Sequence, residues 1–243
     1  MKEKLYIVIP AYNEEENIER VAKEWHRIVK KISEDSRLVI VDDGSKDHTY
    51  EKLLKLQKEL QQLTVLTKQN EGHGATLLYA YHYALDHGAD YIFQTDSDGQ
   101  TLPEEFPGFW KRRRNVDAVI GYRKHREDGI SRVVVTKTLK FVLKMIFHLD
   151  VTDANTPYRL MRRELLEKYI DKVPEKFNLS NVILTVLFLD HKEKVKFIPI
   201  TFKNRRGGVN SINLPKIAKI GWQAVKDFKK MERVMRKTGN ADR

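Results

Sequence analysis

The stretch YIFQTDSDGQT, residues 91–101, runs apolar and aromatic residues into two aspartates two positions apart, with a glutamine two further on. A short apolar run of this kind reads as a buried strand and the polar residues after it as the strand's exit. In an extended chain residues i and i+2 face the same side. The spacing therefore directs Asp96 and Asp98 into one small volume, and Gln100 adds a third oxygen. Hard divalent cations such as Mg2+ or Mn2+ take oxygen ligands of this type and complete their shell with water and phosphate. Asp, Ser and Gly also form surface turns, and the spacing alone leaves both readings open.

Upstream, the chain alternates short apolar runs with amphipathic segments. Strands are expected at KLYIVIP (4–10), RLVIVDD (37–43), LTVLTK (63–68) and DYIFQTD (90–96). Helices are expected at 14–32, at 45–60 with Ser45 as cap, and at 72–88, ended by Gly88. Such alternation implies an α/β fold, a mostly parallel sheet with helices on both faces. Ligands of such sheets sit in the crevice outside the carboxyl ends of the strands. Four polar segments follow the strands: PAYNE (10–14), DDGSKD (42–47), NEGHGA (70–75) and TDSDGQ (95–100). They should gather along one edge, where the first two are placed to hold a base and ribose. NEGHGA lacks the Lys-Ser/Thr of a P-loop.

The 243 residues suffice for one substantial α/β domain with a tail. The absence of cysteine excludes disulfides and cysteine-based metal or nucleophile chemistry. A formal net charge of +11 points to polyanionic partners. The basic residues concentrate at 111–144 and 203–243, whereas the first hundred residues are rich in acids. No motif interleaves basic residues with stacking aromatics, which argues against nucleic acid.

In their order, VIPAYNEEENI, VIVDDGSKDHT, NEGHGATL and DYIFQTDSDGQTLPEEF resemble the nucleotide-binding half of family 2 glycosyltransferases. The resemblance is strong over about the first 125 residues, continues to about Ser211, and is nearest the polyprenyl-phosphate sugar transferases of the dolichyl-phosphate mannose synthase type. It implies the GT-A fold and an inverting transfer from a UDP- or GDP-sugar. It further implies that Pro10, Ala11, Tyr12, Glu14, Asp42, Asp43 and Gly72 line the nucleoside pocket, with Asp96 and Ser97 near ribose and sugar. Asp96, Asp98 and Gln100 match the family's metal motif for Mg2+ or Mn2+.

Transfer to a hydroxyl needs a general base; transfer to a phosphate needs cations that hold two anionic groups together. The segment FNLSNVILTVLFLD (177–190) has no acid before Asp190, whereas arginines and lysines are plentiful. The resemblance places Arg123, Arg132 and Arg205, with neighbouring Arg206, on acceptor and donor phosphates, and makes Arg123 and Arg205 catalytic alongside Asp96 and Asp98. VTDANTPYRLMRRELLEKY (151–169) also matches the family, with Thr156-Pro157 where Ser-Gly is usual. Asp153 there either orients an arginine or caps a turn. The favoured acceptor is a polyprenyl phosphate. A hydroxyl acceptor, with Asp153 or Glu175 as base, and a non-catalytic nucleotide-sugar-binding protein are the alternatives.

No apolar run approaches the ~20 residues needed to span a bilayer, and the N-terminal apolar stretch is short and interrupted by Pro10. The expectation is a cytoplasmic protein peripherally attached to the membrane. RVVVTKTLKFVLKMIFHL (132–149) mixes apolar residues with Lys137, Lys140 and Lys144, a pattern suited to an anionic membrane surface. In the tail, Ile217, Ile220, Ala224, Phe228, Met231 and Met235 form a stripe that fits either a membrane or the core. The expected organisation is a catalytic domain over 1–211, divided at 125/126, and a basic amphipathic helix over 212–243. A separate membrane protein or a second copy of the chain is a further candidate partner.

Overall fold

The computed structural model describes residues 3–126, 130–175, 177–204, 223 and 225–232, with backbone alone at 125–126 and 130–135. The first half follows the expected alternation: β1 (Leu5–Ala11), α1 (Ile18–Ile32), β2 (Arg37–Asp42), α2 (Thr49–Glu59), β3 (Leu63–Thr67), α3 (His73–Asp86) and β4 (Tyr91–Gln94). The second half adds α4 (Phe106–Arg112), β5 (Ala118–Arg126), α5 (Ile130–Phe147), β6 (Arg159–Arg162), α6 (Arg163–Tyr169), α7 (Ser180–Asp190) and β7 (Val195–Phe202).

Among the described residues seven strands form one sheet, in the order β3-β2-β1-β4-β6-β5-β7. Only β6 runs against the rest, pairing antiparallel with β4 and β5. Chain order reverses across β1 and β4, so the crevice outside their carboxyl ends is the switch point where ligands of such sheets bind.

Alternation along β1 divides the core. Leu5, Ile7 and Ile9 pack on one side with Trp25, Phe93, Phe106 and Phe109, beneath α1, α2 and α4. Tyr6 and Val8 face the other side, with Leu77, Tyr81, Ile183 and Phe188 from α3 and α7. Helices therefore cover both faces, and the central strand β1 is apolar and buried along its whole length, as a sheet buried on two sides requires.

Of the boundaries that differ from the sequence expectation, two lie at the exits of β1 and β2, next to the crevice. The first helix starts at Ile18, not Glu14. The Glu14 carbonyl accepts the N–H groups of Asn17 and Ile18, while its own N–H donates to Thr49 Oγ1 at 2.8 Å. Residues 12–17 are thus spent on crossing to the second strand's exit loop. Ser45 does not cap α2. Its hydroxyl accepts the Asn13 N–H at 2.9 Å, and Asp47 Oδ1 takes both the N–H and the hydroxyl of Thr49.

Asp47 is partly buried, which works against its charge. The hydrogen bonds from Thr49 and the Glu15 N–H outweigh this and hold its carboxyl below the ordinary aspartate value. A depressed pKa makes its contribution complete above the unfolded value and lost as the pH falls through the folded one. Asp47→Ala should cost about 1 kcal/mol at neutral pH, and chemical denaturation should find the difference from wild type shrinking in acid.

Part of the tail is resolved toward the core. Residues 225–232 are helical, with Phe228 and Met231 buried. The Phe228 ring lies 6.0 Å from Phe147 and 5.9 Å from Phe177. For these residues the stripe is a packing face. The remainder of 212–243 lies outside the described residues. No helix among the described residues is long and apolar enough to cross a membrane.

Candidate active site

The loops after β1 and β2 are laced together. Asp43 N–H donates to the Ala11 carbonyl at 2.8 Å, and Lys46 N–H to Asn13 Oδ1 at 2.8 Å. Asn13 takes the left-handed conformation, φ 54°. Pro10 and Ala11 end β1 in the buried layer, and Tyr12 projects beyond them, 42% exposed. An aromatic ring with one open face at the switch point is a surface on which a base can stack. Glu14 is buried beside Asn17, whose amide reaches its carboxylate at 3.2 Å.

Asp42 and Asp43 are both buried, but they face different tasks. Asp42 accepts from Ser45 N–H and Thr67 Oγ1, so it shapes the strand exit. Asp43 ties that exit to the glycine loop, accepting the N–H groups of Glu71 and Gly72 and pairing with Lys68 at 3.1 Å.

That anchoring fixes the start of α3. Gly72 has φ +93°, which favours glycine. Gly74 lies so close to residues 177–180 that a Cβ would collide with the Phe177 carbonyl. Between these two glycines sits His73, whose Nε2 lies 3.2 Å from Asp96 Oδ1. The ring is about half exposed, 48%. The desolvation it does undergo disfavours its charge, but Asp96, through charge and hydrogen bond, with Asp98 and Asp43, prevails and raises its pKa above the ordinary imidazole value. Sequence reading named Gly72 and passed over His73. Its position between two glycines at a helix start was the available signal.

Asp96, Ser97, Asp98 and Gln100 occupy one turn, not an extended segment, because the strand ends at Gln94. Asp98 Oδ1 accepts the Gln100 N–H at 3.1 Å, and Gly99 supplies φ +69°. Both carboxylates act electrostatically on His73, and the turn rather than strand alternation sets where they stand. Gln100 Nε2 donates to the Lys203 carbonyl at 2.7 Å, and Lys203 N–H returns to the Gln100 carbonyl at 2.9 Å. The acidic turn is therefore clasped to the exit of β7. A cavity of about 360 Å3 opens beside it, lined by Arg20, Glu24, Gly99, Thr101 and Lys203 among others.

Among the described residues, no three His, Cys, Asp or Glu side chains group closely enough to hold a metal by themselves. Two carboxylates and an amide in one turn nonetheless match the oxygen chemistry of Mg2+ or Mn2+, with water and diphosphate oxygens completing the shell.

On the far side of β4, Arg123 forms a two-pronged pair with Asp153: Nε to Oδ2 and Nη2 to Oδ1, each 2.8 Å. The side chains are only 9% and 6% exposed. The guanidinium also sits 5.2 Å from the centre of the Phe202 ring. Asp153 therefore orients an arginine, one of the two roles its sequence context allowed. Beneath this pair Arg159 is fully buried and donates to the carbonyls of Ala154, Thr156 and Asn181. It knots the loop carrying Asp153 to α7. The side chain of Arg132 and all of Arg205 and Arg206 lie outside the described residues.

Residues 6–170 match the family model described as glycosyl transferase family 2. Polyprenol monophosphomannose synthase of Mycolicibacterium smegmatis is 27% identical over 216 residues, 85% of this chain and 80% of that protein. Undecaprenyl-phosphate 4-deoxy-4-formamido-L-arabinose transferase of Photorhabdus laumondii is 28% identical over 167 residues, 68% of this chain. The chain spans only 50% of the length of that relative. Glucosyl-3-phosphoglycerate synthase from Mycobacterium tuberculosis, in complex with Mn2+, UDP and phosphoglyceric acid, superposes with a TM-score of 0.73 at 18% identity. That match covers 95% of this chain and 78% of the other. The architecture is the expected α/β GT-A fold. A family match over residues 6–170, more than half of the chain, places this protein in glycosyltransferase family 2.

Proposed function

We propose that this chain transfers a sugar, with inversion, from a UDP- or GDP-sugar to a polyprenyl phosphate at the cytoplasmic face of a membrane. The observation that carries the acceptor class is the Arg123–Asp153 pair. A hydroxyl acceptor needs a base to take its proton, and both oxygens of Asp153 are committed to the Arg123 guanidinium. A phosphate acceptor arrives as an anion and needs no base. The relatives named for undecaprenyl-phosphate and polyprenol substrates support the same class.

In this reading Tyr12 stacks on the base, and Asp43 holds the glycine loop in place behind the ribose. Asp96, Asp98 and Gln100 would hold Mg2+ or Mn2+. When bound, that cation neutralises charge on the leaving diphosphate. His73 directs an N–H donor toward the same phosphates from the start of α3, where the helix dipole also favours an anion. Arg123, Arg132, Arg205 and Arg206 belong to the acceptor side and offset the repulsion between two phosphate groups.

The decisive test measures nucleoside-diphosphate release from a panel of UDP- and GDP-sugars, with and without a short polyprenyl phosphate. Lipid-dependent release from one donor is the expected result. Release only with glycan acceptors would overturn the lipid assignment, and tight nucleotide binding without release would overturn catalysis. His73 gives a finer check. Calorimetry of His73→Ala should show nucleoside-diphosphate affinity reduced roughly tenfold, since a hydrogen bond to a charged group is lost. Nucleoside affinity should be unchanged.

A further inference from the structure

α5 carries apolar residues on two faces. Leu143 and Phe147 are buried, and Phe147 meets Phe228 of the tail helix, so the inner face is covered. One helical turn apart on the opposite side, Phe141 is 64% and Met145 is 62% exposed, the two most exposed large apolar side chains among the described residues. Lys137, Lys140 and Lys144 are exposed around them. Lys140 also reaches Asp150 at 2.8 Å. The adjoining tail helix adds exposed Lys226, Lys229 and Lys230.

We propose that the outer face of α5 docks on an anionic lipid bilayer, with Phe141 and Met145 entering the headgroup boundary and Lys137, Lys140 and Lys144 on lipid phosphates. An apolar pair rimmed by lysines suits an interface-lying helix, because lysine stems run along apolar surface while their charges stay among the headgroups. A second copy of the chain is a poor occupant. A two-fold contact presents the same patch from both sides, which here would set lysines against lysines. The inference deepens the lipid-acceptor reading and rests on it for its purpose, since a membrane-held acceptor calls for an enzyme held at the same surface.

The test is cosedimentation of the full chain with extruded phosphatidylcholine vesicles, with and without phosphatidylglycerol. Wild type should bind the anionic vesicles and release them at high salt. Lys137→Gln/Lys140→Gln/Lys144→Gln should lower partitioning at least about tenfold. Phe141→Ser/Met145→Ser should lower it by about as much even at low salt. Nucleoside-diphosphate binding should persist in both variants, which shows that they are folded. Unchanged vesicle binding by either folded variant would overturn the proposal. So would a change in oligomeric state for Phe141→Ser/Met145→Ser with vesicle binding intact, which would assign the face to a protein contact. Vesicle binding as expected, without lipid-dependent nucleoside-diphosphate release, would leave the docking face standing and remove the lipid-acceptor reading.

Discussion

Asp98→Asn is expected to lower turnover of the nucleotide sugar on the order of a thousandfold while leaving the thermal midpoint close to that of wild type. The two halves of this expectation rest on different atoms. In the acidic turn Asp98 Oδ1 accepts the Gln100 N–H, and the amide oxygen of asparagine can accept the same bond, so the turn keeps its shape. What asparagine removes is a negative charge beside Asp96. Hard cations are held by charge as much as by geometry, and a site with only two carboxylates has none to spare. Thermal-shift titration with Mn2+ in the presence of nucleoside diphosphate separates this from a folding defect. Wild type should gain stability and Asp98→Asn should gain far less. Wild-type turnover in the variant would remove the metal assignment from this turn.

The same turn marks the limit of what local pattern conveys. Strands and helices of the first half were legible because burial on both faces of a parallel sheet writes long apolar runs, and amphipathic helices write a period. The gathering of four polar segments at one edge followed from topology alone. Local pattern does not say where a strand stops. YIFQ continues into polar residues with no break, and the turn at 96–99 depends on the φ of Gly99 and a hydrogen bond from Gln100. Nor does it announce partners distant in sequence. Arg123 lies on β5 and Asp153 in the loop before β6, and the insertion of β6 between β4 and β5 is what places that loop against Arg123. His73 was missed for a related reason: its meaning comes from Asp96, 23 residues away. The tail stripe was ambiguous because an apolar face looks the same whether protein or lipid covers it. Phe228 packed on Phe147 decides the matter for that residue.

Asp153→Ala should destabilise the fold by about 3–5 kcal/mol, the usual cost of removing one partner from a buried ion pair. In thermal denaturation of a chain this size that is a fall on the order of 10 °C. The loss comes less from the missing attraction than from what remains, a guanidinium confined beside the Phe202 ring with its two-pronged acceptor gone. Replacing both partners by apolar residues removes that penalty, so Arg123→Met/Asp153→Leu should recover much of the stability. Activity separates the two roles. If Arg123 serves a phosphate, the stable double variant stays impaired, with its response to the lipid acceptor weakened more than its affinity for nucleoside diphosphate. If turnover returns with stability, the pair is a brace for the loop before β6, and the work on the acceptor phosphate falls to the other arginines.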